Sequence, residues 1–66
     1  MNWDEIQGNW EQVKGKVRSQ WGKLTDDDIE VAKGKRTELL GLLQSRYGRA
    51  KEDAERELDQ WAQQLK

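Results

Sequence analysis

The sequence predicts an all-α fold built as two copies of one short helical unit followed by a last helix. Three observations predict it. Proline is absent, and the chain is rich in Glu, Lys, Arg, Gln, Leu and Ala, the strong helix formers. Apolar residues recur at spacings of three and four, which mark one face of a helix. The chain also matches itself when slid by 26 residues, so that Gly8, Gly15 and Gly22 fall on Gly34, Gly41 and Gly48. Trp21 then falls on Tyr47, Val13 on Leu39, Val17 on Leu43, Lys23 on Arg49 and Asp27 on Asp53. A unit used twice lets each copy cover the apolar face of the other. The expectation is a small bundle of four to five short helices in one domain over residues 1–66.

The elements follow in order. Asn2 and Glu5 have the spacing of a capping box at the start of the first helix. Trp3, Ile6, Trp10, Val13, Val17 and Trp21 form one apolar stripe. Trp3 and Ile6 stay in phase with Trp10 across Gly8, which favours one long helix over 3–21. A chain broken near Gly8, and again near Gly34, is the preferred reading. Thr25 and Asp28 form a second capping box, and the run Asp26-Asp27-Asp28 suits the positive end of a helix dipole. Ile29 and Ala32 precede a second stripe of Leu39, Leu40, Leu43 and Tyr47. The last helix carries Ala50, Ala54, Leu58, Trp61 and Leu65 on one face. Gly22 and Gly48 stand where a helix is stopped by a left-handed glycine. Gly8 and Gly34 are read as hairpin turns. Gly15 and Gly41 remain as mid-helix glycines, costing about 1 kcal/mol each. They admit either close approach by another helix or a helix kept weak.

Size and composition limit the chemistry. A chain of 66 residues buries only roughly 60% of its unfolded surface, so its stability is small. It contains no Cys and no His, which excludes disulfides and the usual zinc sites. Nucleophilic triads lack their base and thiol for the same reason. The 13 acidic residues all lie in polar runs, where nothing raises a carboxyl pKa for acid–base work. An EF-hand fails because Val31 and Thr37 stand where glycine and glutamate are required. The glycine spacing of seven does not fit a phosphate loop. No cofactor, metal or small-molecule substrate is expected.

The apolar fraction is 33% and the charged fraction 38%, with a net charge of -1. Charges are blocked: Lys14, Lys16, Arg18 and Lys23, then Asp26 to Glu30, then Lys33, Lys35 and Arg36, then an acidic last helix. Solvated helix faces that attract one another account for this best. The longest apolar run is two leucines, far too short to span a membrane. The N-terminus is acidic and carries no secretory pattern, so a cytoplasmic location is expected. A basic, tryptophan-containing segment over 10–24 also has the composition of a membrane-surface helix, a weaker reading.

The motifs Trp10-x-x-x-Lys14-Gly15-Lys16-Val17, Gln20-Trp21-Gly22-Lys23-Leu24-Thr25-Asp26-Asp27-Asp28, Gly34-Lys35-Arg36 and Leu40-Gly41-x-x-Gln44-x-Arg46-Tyr47-Gly48 resemble the CsbD-like family of small bacterial stress proteins. The resemblance runs from about Gly8 to Leu58. It implies a SAM-domain-like arrangement of two α-hairpins packed crosswise. It also implies a bacterial, soluble, stress-induced protein, and it brings no catalytic residues to carry over. The hydrophilicity and glycine content look like those of hydrophilins, proteins linked to water deficit.

Three function classes are therefore weighed. The first is a non-enzymatic stress-response protein, expected to be a monomer. The second is a nucleic-acid-binding module using Lys14, Lys16, Arg18, Lys23, Lys33, Lys35 and Arg36, with Trp10 and Trp21 as stacking platforms. Sharing a face with Val13 and Val17 argues instead that those tryptophans are core. The third is a protein-interaction module or homodimer using a surface around Leu42, which stands off the apolar stripe.

Overall fold

The structure is a computed structural model and describes residues 1–65. Five helices follow one another: α1 (Trp3–Gly8), α2 (Trp10–Gln20), α3 (Asp26–Ala32), α4 (Arg36–Tyr47) and α5 (Lys51–Gln64). There is no strand among the described residues. Helix α4 packs on α3 and α5, and α2 packs on α1 and α3. One hydrophobic cluster gathers Ile6, Trp10, Val13, Val17, Trp21, Leu24, Ile29, Ala32, Leu39, Leu40, Leu43, Ala54, Leu58, Trp61, Ala62 and Leu65. Among the described residues no polar or charged residue is buried with them.

Both predicted capping boxes are present. The Glu5 N–H donates to Asn2 Oδ1 at 2.8 Å, and the Asn2 N–H donates to Glu5 Oε1 at 3.2 Å. At α3 the Asp28 N–H donates to Thr25 Oγ1 at 3.1 Å, and the Thr25 N–H donates to Asp28 Oδ2 at 3.2 Å. Each box satisfies two donors that a helix start leaves open. The three longer helices α2, α4 and α5 have no side-chain cap. They are held by the apolar faces that they bury.

The chain breaks near Gly8 and Gly34, so the single helix over 3–21 does not form. The two breaks are made differently. Gly8 is the last residue of α1, and the bend is carried by Asn9 at φ -112° and ψ 28°. The Asn9 side chain donates to the Glu5 carbonyl at 3.1 Å, closing the end of α1. The second break uses two left-handed residues, Lys33 at φ 51° and Gly34 at φ 82°. Gly34 is buried against α1: a Cβ there would lie 2.9 Å from Gln7 Cα and 3.2 Å from Gln7 N. Only a residue without a side chain allows that approach.

Gly48 ends α4 at φ 67°, as predicted. Gly22 does not end α2 in that way. Its φ is not positive, and Trp21 is the cap residue, at φ -126°. The chain then turns through Gly22 and Lys23 until Leu24, 3% exposed, plugs into the core. A side chain at Gly15 or Gly41 would meet nothing within 4 Å. The close-approach reading of these two glycines is thereby overturned within the chain. Leu42 is partly buried and packed against the core. The exposed large hydrophobic residue is instead Val31, at 69%. At the far end, the Met1 ammonium donates to the Ala62 and Leu65 carbonyls at 2.8 and 2.9 Å. A positive charge there satisfies open carbonyls and suits the negative end of the α5 dipole.

Candidate functional site

The seven basic residues picked from the sequence do not form one patch. Lys14 and Arg18 lie one turn apart on α2 and face α3. Lys14 pairs with Glu30 and, at 3.0 Å, with Glu11. Arg18 pairs with Asp26. These four residues, with Glu11, Gly15 and Ile29, line an open groove of about 330 Å³ between α2 and α3. Lys16 lines a different groove, of about 500 Å³, with Gln12, Gly15, Ser19, Gln20, Trp61, Gln64 and Leu65. Gly15 is therefore the shared rim of both grooves.

Arg36 is committed to α5. Its Nε and NH2 donate to the two Asp59 oxygens at 3.0 and 3.1 Å, a bidentate pair, and Glu55 lies at 3.8 Å. Lys33 and Lys35 are exposed on either side of Gly34, with no ion pair among the described residues. Lys23 sits beyond the end of α2, where its backbone N–H donates to the Tyr47 hydroxyl at 3.1 Å. Its Nζ lies 5.2 Å from the Tyr47 ring centroid, and the Arg49 guanidinium lies 5.4 Å from it. Both cations are within range of an attraction to the ring. This junction of Lys23, Tyr47 and Arg49 was not singled out from the sequence. The repeat carried the signal, because it maps Lys23 onto Arg49 and Trp21 onto Tyr47.

The aromatic half of a nucleic-acid grip is missing. Trp10 and Trp21 are 8% and 2% exposed, so neither offers a ring face to a base. The Trp10 Nε1 donates to the Ile29 carbonyl at 3.2 Å, tying α2 to α3 inside the core. Trp61 stands edge-on to Trp21 at 4.9 Å and tilted against Trp3 at 6.1 Å. Trp21 Nε1 is buried with no hydrogen-bond partner. The same burial removes the apolar face that a membrane-surface helix would need. Among the described residues no helix is long and apolar enough to cross a membrane.

Asp28 carries more than its cap. Arg46 grips both its oxygens, at 3.0 and 3.2 Å, and holds its carboxyl below the usual range, with the Thr25 N–H assisting. Asp59 is lowered likewise by Arg36. Lys14 is raised, chiefly by its bond to Glu30. Asp26, Asp27 and Asp28 occupy the first turn of α3, as the cap reading required. The largest cause of each of these shifts is an ion pair between helices, the mark of structural pairing.

The arrangement is thus an apolar core under a charged surface, part of it in ion pairs between helices. A family model described as CsbD-like matches residues 4–56. The UPF0337 protein YjbJ of Escherichia coli (strain K12) is 57% identical over 61 residues, covering 92% of this chain and 88% of that protein. The UPF0337 protein ECA0631 of Pectobacterium atrosepticum matches at the same identity and coverage. The UPF0337 protein RPA4217 of Rhodopseudomonas palustris is 50% identical over 66 residues, the whole length of both chains. With its motifs, its helices and these relatives in agreement, the chain belongs to the CsbD-like family.

Proposed function

We propose that the protein is a non-enzymatic, cytoplasmic stress-response protein with hydrophilin-like protective action under osmotic, desiccation or stationary-phase stress. One observation carries this reading. Nearly all the large apolar side chains, Val31 excepted, lie in the core or against it, under a charged surface, and no polar or charged residue is buried among the described residues where chemistry would need one. Membership of the CsbD-like family supports it. The single hydrophobic cluster supports one domain, and the starts of α2 at Trp10 and α4 at Arg36, equivalent positions of the repeat, support two duplicated hairpins. Deleting the gene is expected to lower survival under at least one of these stresses. Wild-type survival under all of them would overturn the reading.

A second reading, nucleic-acid binding, is favoured by Lys16, Lys33 and Lys35, which have no acidic partner among the described residues. Titration with single-stranded DNA at low salt tests it. The expected mark is affinity that falls steeply with added salt. Absence of binding at micromolar concentrations would end it.

A further inference from the structure

The seven residues of α3 are held differently from every other helix. They bury only Ile29 and Ala32, while Val31 points to solvent. A helix this short has almost no stability of its own. Three ion pairs from two neighbouring helices hold it instead. Lys14 and Arg18 of α2 take Glu30 and Asp26, and Arg46 of α4 takes Asp28. Thus α3 has more clamping ion pairs than buried apolar residues. Helix α5 receives as many pairs, from Arg36 to Glu55 and Asp59 and from Arg49 to Glu57, but it sets more apolar burial against them: Ala54, Leu58, Trp61 and Ala62, with Leu65 beyond its end.

Both ends of α3 are anchored by other means. Leu24 is plugged into the core before it, and Gly34 is seated on the Gln7 backbone after it. Lys33, the one non-glycine residue with positive φ among those described, stands at the exit as a strained hinge. A short segment between two fixed points can leave its seat while its anchors stay. The pairs that hold it reach solvent to different degrees, with side chains of Arg18 and Asp26 at 59% and 72%, of Lys14 and Glu30 at 31% and 57%, and of Arg46 and Asp28 at 51% and 12%. Exposed pairs are weakened by dissolved salt, whereas apolar contacts are not.

We propose that α3 is a charge-held latch, which leaves its seat between α2 and α4 as ionic strength rises while the rest of the fold stays closed. Opening frees the Trp10 indole from the Ile29 carbonyl and uncovers the apolar seat of Ile29 and Ala32. The latch does not rest on the stress role proposed above.

Native-state amide exchange on the full chain tests it, at 0.05 and 0.5 M KCl, with α5 as the internal reference. The α3 amides are expected to exchange roughly threefold to tenfold faster at the higher salt, with α5 changing by a smaller factor, as screening of the pairs on a helix with so little apolar burial implies. Fluorine NMR of protein labelled with fluorotryptophan should show the Trp10 signal moving with salt and the Trp21 and Trp61 signals staying. Replacing Lys14→Gln, Arg18→Gln and Arg46→Gln together should raise α3 exchange at low salt and abolish its salt dependence. An α3 that ignores salt, or that follows α5 by the same factor, would overturn the latch. So would a salt dependence that survives the triple substitution.

Discussion

The turn between α1 and α2 and the turn between α3 and α4 occupy equivalent places in the repeat, and each contains a glycine there. They use it for different ends. Gly8 closes a helix with ordinary dihedrals and open space around it, and Asn9 makes the bend. Gly34 needs both its positive φ and its missing side chain, because the backbone of α1 lies against it. The difference teaches that a repeated residue marks a repeated element, but the demand on that residue comes from what packs over it. The first turn is a local event. The second is a contact between the two hairpins.

The sharpest way to break this comparison is to add one methyl group to each turn. Gly34→Ala forces a side chain into the left-handed region and onto the Gln7 backbone, and should cost about 2–4 kcal/mol. In a domain of this size that lowers Tm by well over about 10 °C. Gly8→Ala should fall within about 0.5 kcal/mol of the wild type. Equal losses in thermal or urea unfolding would show that the two turns work alike. Next come the caps. Asn2→Ala and Thr25→Ala each remove one capping box and should each cost about 1 kcal/mol, read from the urea midpoint. Native-state exchange should place the Thr25→Ala loss in α3 and the Asn2→Ala loss in α1.

The mid-helix glycines are the other matched pair, and here the halves should behave alike. Gly15→Ala and Gly41→Ala each meet open space and should each raise stability by about 0.5–1 kcal/mol, adding in the double variant. A loss at either site would mean that something approaches that helix face. The smallest expected effect is on acid sensitivity. The carboxyls of Asp28 and Asp59 are lowered in the folded state by Arg46 and Arg36. Their contribution is therefore full above the ordinary carboxyl pKa of about 3.9 and is lost as pH falls through the lower folded values. Unfolding followed from pH 6 down to 2 should show this loss, and Asp28→Asn should flatten it.

Much of the fold could be read from the residues alone. The capping boxes at Asn2 and Thr25, the apolar stripes and the break at Gly34 follow from local chemistry and spacing, which act within a few residues. What could not be read depends on which element comes near. Gly22 and Gly48 look alike in the repeat, yet α2 ends on Trp21 because Leu24 must reach the core two residues after the glycine. Leu42 stands off its stripe on a helical wheel but is partly covered by the packed core. Of the candidate binding residues, Lys14, Arg18 and Arg36 face acids on a neighbouring helix. A charge block predicts attraction between faces, but not the partner of each residue. The Tyr47 junction is not legible from local spacing because its two cations come from loops 26 positions apart.

The row of indoles from Trp3 through Trp61 to Trp21 has a spectroscopic consequence. Neighbouring rings at 6.1 and 4.9 Å, tilted by 42° and 61°, couple their electronic transitions. Far-ultraviolet circular dichroism of this protein therefore contains an exciton couplet on top of the peptide signal, and helix content taken from it without correction will be wrong. The couplet has its own use. It reports α1, α2 and α5 being assembled together, so it should vanish when they separate even where each segment keeps its helical turns.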